Sequence, residues 1–167
     1  MTPGELAVVA SRGVVAGVLA AAAIAKLRDQ RGTRDALRAA GMPEGLARTL
    51  PVVEGFTAFG LVMEQHSGWA ALVACVLLGA FTVYLVITAV RGAAAPCACF
   101  GAPVRAAAPA GSGGEPWRAV VRNLVLVALA VIATGPPGPQ WWLAWPVAIA
   151  TAVAILARAS PARAPRA

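Results

Sequence analysis

The stretch "WAALVACVLLGAFTVYLVITAV", Trp69 to Val90, carries no charge, no proline and a single glycine. A helix that crosses the hydrocarbon core of a bilayer needs about 20 mostly apolar residues. This run reaches that length without interruption, so it reads as a transmembrane helix. Four more apolar runs flank it. Leu6 to Leu27 is broken only by Arg12 and closed by Lys26, and Leu46 to Met63 carries Arg48, Pro51 and Glu54. Val120 to Thr134 and Trp141 to Leu156 lie on either side of "GPPGP", where proline and glycine force a turn. Both of these are short, and tilt or snorkelling of Arg118 and Arg122 must complete them. The expectation is an all-α integral membrane protein, a compact bundle of four to five transmembrane helices with five on this reading. Residues 1–157 form the transmembrane domain and residues 158–167 a basic cytosolic tail.

Composition supports the same class. Of the 167 residues 59% are hydrophobic and only 13% charged, and the mean hydropathy of +0.74 is well above that of soluble domains. The net charge of +7 does not signal nucleic acid. Phosphate-backbone binding gathers basic residues on a solvated face, whereas here they bracket the apolar runs.

Their distribution sets an orientation, because short cytoplasmic loops retain Lys and Arg. The first loop bears Lys26, Arg28, Arg31, Arg34, Arg38 and Arg48, the third Arg91, Arg105 and Arg118, and the tail Arg158, Arg163 and Arg166. The second and fourth loops have none. The chain therefore reads as a multi-pass protein of the plasma membrane with its N-terminus outside and its C-terminus in the cytosol. Trp69, Trp141 and Trp142 make an outer aromatic belt, and Trp117 lies near the inner boundary. A cleaved signal peptide is disfavoured, since no Lys or Arg precedes the first apolar run except Arg12 within it. Gly13, Gly17, Ala21 and Ala25 form a four-residue stripe of small side chains that permits close helix contact. The segment from Arg28 to Glu44 reads either as a short interfacial helix or as a solvated loop. "AAAPAGSGG", Ala106 to Gly114, has the composition of a linker.

Few groups are left to carry chemistry. The lone His66 has no acidic or cysteine partner at ligand spacing, which disfavours a metal site, and no nucleophile elbow is present for a serine hydrolase. Cys97 and Cys99 sit in "PCACFG", one residue apart. A disulfide between them would be strained, hence easily reduced, which suits exchange better than stapling. Arg91 and Arg105 would favour the reactive thiolate; two ordinary loop cysteines remain the plain alternative. Cys75, about 22 Å of helical rise from Val90, reads as a packing residue. Arg12 and Glu54 are intramembrane charges, costly alone, and are expected to pair with each other. Lys26 and Asp29 are expected at the inner rim.

Taken in order, these elements resemble the MauE proteins of methylamine utilisation, within a broader DoxX-like group of small membrane bundles. The shared elements are Arg12, "KLRD" (Lys26 to Asp29), "VEG" (Val53 to Gly55), Arg91 and Gly92, "CACFG" (Cys97 to Gly101), and Arg122 with Asn123. They cover residues 6–134, and Ala98 stands where glycine is common in the family. The resemblance implies a thiol–disulfide redox or maturation factor for the small subunit of methylamine dehydrogenase or another exported protein, beside a thioredoxin-like partner. Cys97 and Cys99 would be the redox pair, supported by Arg12, Lys26, Glu54, Arg91, Phe100, Gly101, Arg122 and Asn123. No cofactor is implied, with a membrane quinone left open as an electron partner, and the remaining partner is the lipid bilayer. The charge rule puts the cysteines on the cytosolic side, at odds with an exported client unless "AAAPCACF" folds back into the bundle. The alternative from another class is a non-catalytic membrane scaffold, or less favourably a small-solute carrier, which would need a cavity and repeated halves.

Overall fold

In a computed structural model of the chain, residues 2–39, 41–63, 67–90, 115–136 and 139–159 are described. Their regular structure is entirely helical: α1 (Pro3–Arg28), α2 (Gln30–Ala39), α3 (Leu46–Val62), α4 (Ser67–Val90), α5 (Glu115–Ile132) and α6 (Ala144–Ala159), with a 3-10 turn at Trp141–Leu143. Two of these helices, α1 and the Ser67–Ile87 part of α4, are both long and apolar enough to cross a membrane; α3, α5 and α6 are shorter.

Helix α1 begins earlier than its apolar run, because "TPGE" is a capping box. The Thr2 hydroxyl accepts from the Glu5 amide, the Glu5 carboxylate accepts from the Thr2 amide, and Pro3 occupies the first helical position. Helix α5 likewise starts at Glu115, since Trp117 and Arg118 extend the helix beyond its apolar stretch. The segment after α1 is helical. Asp29 ends α1 and opens α2, its carboxylate accepting from the Gly32 amide at 2.9 Å. A Cβ at position 32 would run into that carboxylate, so glycine belongs there.

The five longer helices alternate in direction along the chain. Consequently α1 and α6 run parallel, and they approach very closely. A Cβ on Gly13 would lie 2.6 Å from Val147 Cβ, and one on Gly17 2.5 Å from the Ala148 carbonyl oxygen. With Ala21 and Ala25 also buried, the expected small-residue stripe is the seat of α6. Helix α1 is central, packing on α3, α5 and α6, while α4 packs on α3 and α5. The core comprises Val15, Leu19, Leu61, Leu78, Leu126 and alanines between them. Cys75 packs against it as a free thiol.

The outer surface is apolar. Phe56, Trp69, Val76, Val83, Val90 and Val121 are all more than half exposed. Trp69 and Trp142 are exposed at the end of the bundle where α1 begins, and Trp117 is exposed at the opposite end.

Candidate functional site

Polar chemistry among the described residues is concentrated inside the bundle, at three levels. At the first, Arg12 reaches from α1 to the end of α5. Its Nε donates to the Ala133 carbonyl at 3.0 Å and its Nη2 to the Gly135 carbonyl at 2.6 Å. Both acceptors lie in the turn that follows α5, whose own carbonyls at Leu129, Val131 and Ile132 already accept from the amides of Ala133, Thr134 and Gly135. The guanidinium partners these two turn carbonyls, and it holds the α5 terminus against α1.

The second level lies about 21 Å farther along α1, by helical rise. Lys26 Nζ donates to both carboxylate oxygens of Glu54, at 2.7 and 2.8 Å. Lys26 is 1% exposed and Glu54 is not exposed at all. The ammonium also stands 5.6 Å from the centre of the Phe81 ring, close enough for a cation–π contact.

These contacts correct one expectation. Glu54 pairs with Lys26 rather than with Arg12; Lys26, two residues from the end of α1, is buried in that pair, while Asp29 is exposed. The expected pairing assumed that the ends of α1 and α3 are level. They are not: Glu54 stands about 12 Å of helical rise from Leu46, and Lys26 only about 3 Å from Arg28. Helix α3 therefore starts well past the end of α1, in the space where α2 packs.

At the third level, Asn123 ties α5 to α4. Its Nδ2 donates to the Leu78 carbonyl at 2.9 Å and to Thr82 Oγ1 at 2.8 Å. The Thr82 hydroxyl donates to the same Leu78 carbonyl. Asn123 is fully buried, and its Oδ1 has no hydrogen-bond partner among the described residues. Arg122, its neighbour in sequence, is exposed on the other side of α5.

A cavity of about 440 Å³ opens beside the Lys26–Glu54 pair. Helix α2 contributes Thr33, Ala36 and Leu37, α3 contributes Leu46 and Leu50, and α4 contributes Leu77, Phe81 and Tyr84. A smaller space of about 240 Å³ lies between α1, α3 and α6, beside the edge-on contact of Phe59 with Trp145. Arg91, Cys97, Cys99, Phe100 and Gly101 lie outside the described residues, as do His66, Arg105 and the tail from residue 160.

The family model for the methylamine utilisation protein MauE matches residues 4–136. The chain belongs to the MauE family. A curated relative, the methylamine utilization protein MauE of Paracoccus denitrificans, is 40% identical over 94 residues, which is 55% of this chain and 47% of the relative. The match thus spans about half the length of that relative. No solved structure matches the chain. The MauE match takes in Arg12, Lys26, Glu54 and Asn123, and it also spans Cys97 and Cys99. All of α6 lies beyond it, although α6 packs directly on Gly13 and Gly17.

The partners of Arg12 and Asn123 were not legible as residues, because most are backbone carbonyls. The usable signals were an Arg and an Asn placed within apolar runs, each of which demands an internal partner.

Proposed function

We propose that the chain spans the plasma membrane through α1, α3, α4, α5 and α6, and acts there as a thiol–disulfide maturation factor in methylamine utilisation. The observation that carries the membrane reading is its inverted polarity. Arg12, Lys26, Glu54 and Asn123 are buried while Phe56, Trp69, Val76 and Val83 are exposed. Water disfavours that arrangement, and hydrocarbon favours it. The arginines of α2 and its flanks lie at the end where α1 finishes, which supports a cytosolic placement of that end and an N-terminus outside.

For the chemistry, the support is the family match across Cys97 and Cys99, in the connection between α4 and α5. A thiolate of the reduced pair attacks a partner disulfide, forming a mixed disulfide and releasing one partner thiolate. The adjacent thiol then displaces the second, so that two electrons pass to the partner and the Cys97–Cys99 disulfide remains. A thioredoxin-like dithiol returns the pair to its reduced form, and the same steps run in reverse for oxidation of a client. The client in this reading is an exported, disulfide-containing protein. The buried charges serve architecture: Arg12 engages carbonyls and Lys26 engages Glu54, which favours a scaffold over a solute carrier as the competing reading.

Replacement of Cys97 or Cys99 by serine tests the proposal. Either variant is expected to trap a dithiothreitol-sensitive adduct with a thioredoxin-like protein or client, and Cys75→Ser to behave as the wild type. Full client maturation by both loop variants, with no adduct, would overturn the redox reading and favour the scaffold.

A further inference from the structure

The cavity beside Lys26 is of the size of a ligand pocket, yet its lining is almost all carbon. Among the described residues its one charged side chain, Lys26, already meets the Glu54 carboxylate. Water filling such a space would find too few polar partners, so the fitting occupant is apolar. Helix α2 gives this cavity a charged border. Thr33, Ala36 and Leu37 face inward and are buried. Arg31, Arg34 and Arg38 follow at spacings of three and four and form one stripe, in which Arg31 and Arg38 are turned away from the cavity and exposed. Arg34, half-buried, stands nearest the inward face.

The stripe has a surplus of positive charge. Arg38 is bound to Glu44 at 2.6 Å, whereas Arg28, Arg31, Arg34 and Arg48 enter no ion pair among the described residues. An amphipathic helix with basic residues at the border of its apolar face is the form that lies at a membrane surface and attracts anionic headgroups.

We propose that this cavity is a binding site for an anionic phospholipid, with acyl chain packed against Leu50, Leu77, Phe81 and Tyr84 and phosphate held by Arg34 at its border. The site rests on the membrane reading above and not on the redox chemistry.

The test uses the full chain reconstituted in vesicles of phosphatidylcholine with one fifth phosphatidylglycerol, extracted in mild detergent and examined by native mass spectrometry. Retained phosphatidylglycerol is expected to exceed its share of the vesicle lipid. Arg34→Gln should lower that preference by a factor of about 5, and Arg31→Gln, on the face turned away from the cavity, should lower it less. Ala80→Phe, or Leu50→Phe should the first variant unfold, should fill the cavity and remove bound lipid of either class. Circular dichroism of each variant separates lost binding from lost folding. Retention of the two lipids in proportion to the vesicle, or undiminished retention by a folded cavity-filling variant, would overturn the site. Failure of the wild-type chain to float with vesicles would instead overturn the membrane reading, and this site with it.

Discussion

Lys26 and Glu54 are in contact through two hydrogen bonds of 2.7 and 2.8 Å, in a place that solvent barely reaches. With an effective dielectric constant near 20, two unit charges at that separation attract by about 6 kcal/mol. Desolvation of both ions offsets much of this. The net worth of the pair is therefore small, while the cost of breaking it is large. Lys26→Met leaves a buried carboxylate with no cation, and Glu54→Leu leaves a buried ammonium with no anion. Each single variant should lose about 3 to 5 kcal/mol of stability. The double variant replaces the pair with apolar groups, and the thioether introduced by Lys26→Met would lie against Phe81, a favourable sulfur–aromatic contact. It should fall within about 2 kcal/mol of the wild type. Equilibrium unfolding in dodecyl maltoside titrated with dodecyl sulfate, followed by far-ultraviolet circular dichroism, measures all four proteins. Single losses that add to the double within about 0.5 kcal/mol would refute the coupling. So would a wild-type transition in either single variant.

Arg12→Ala should cost about 3 kcal/mol by the same assay, since two charge-assisted bonds to carbonyls are lost. Its loss should add to that of Glu54→Leu, because the two residues share no partner. Gly17→Val places side-chain atoms where the Ala148 carbonyl and Thr151 already sit; it should lower stability by about 1 to 3 kcal/mol. Gly79→Ala, facing open space in α4, should be neutral or raise stability by up to about 1 kcal/mol. Arg38 holds the Glu44 carboxyl below the usual glutamate range, by its hydrogen bond and then by its charge. Because that shift is downward, the contribution is present above the ordinary glutamate pKa and fades as pH falls through the lowered value. The Glu44→Gln protein should therefore show a flatter acid limb than the wild type, read as helix content between pH 5 and pH 3, taken as roughly the carboxylate range.

The helices could be read from sequence because each rests on a local cause. Apolar length marks α1 and α4, and the small stripe at Gly13 and Gly17 marks a close helix contact. The capping box at Thr2 and Glu5 was equally legible in principle, being four consecutive residues, and it explains why α1 starts before its apolar run. Helix α2 was ambiguous, since its apolar face is only Thr33, Ala36 and Leu37, too little to form a helix without the cavity wall it packs on. The buried charges divide in the same way. That Arg12, Glu54 and Asn123 each need an internal partner follows from their place in apolar runs, because an unsatisfied polar group costs several kcal/mol, about 2 to 7, away from water. Which partner each one finds does not follow. Helical rise is known for every residue, but the relative height of two helices is set by side-chain packing across the whole bundle. A shift of a few turns between α1 and α3 gives Glu54 to Lys26 instead of Arg12, and leaves Arg12 to the carbonyls of the turn that follows α5. Sequence by itself determined that the chain is helical, apolar outside and charged within; tertiary structure alone decided which charges meet.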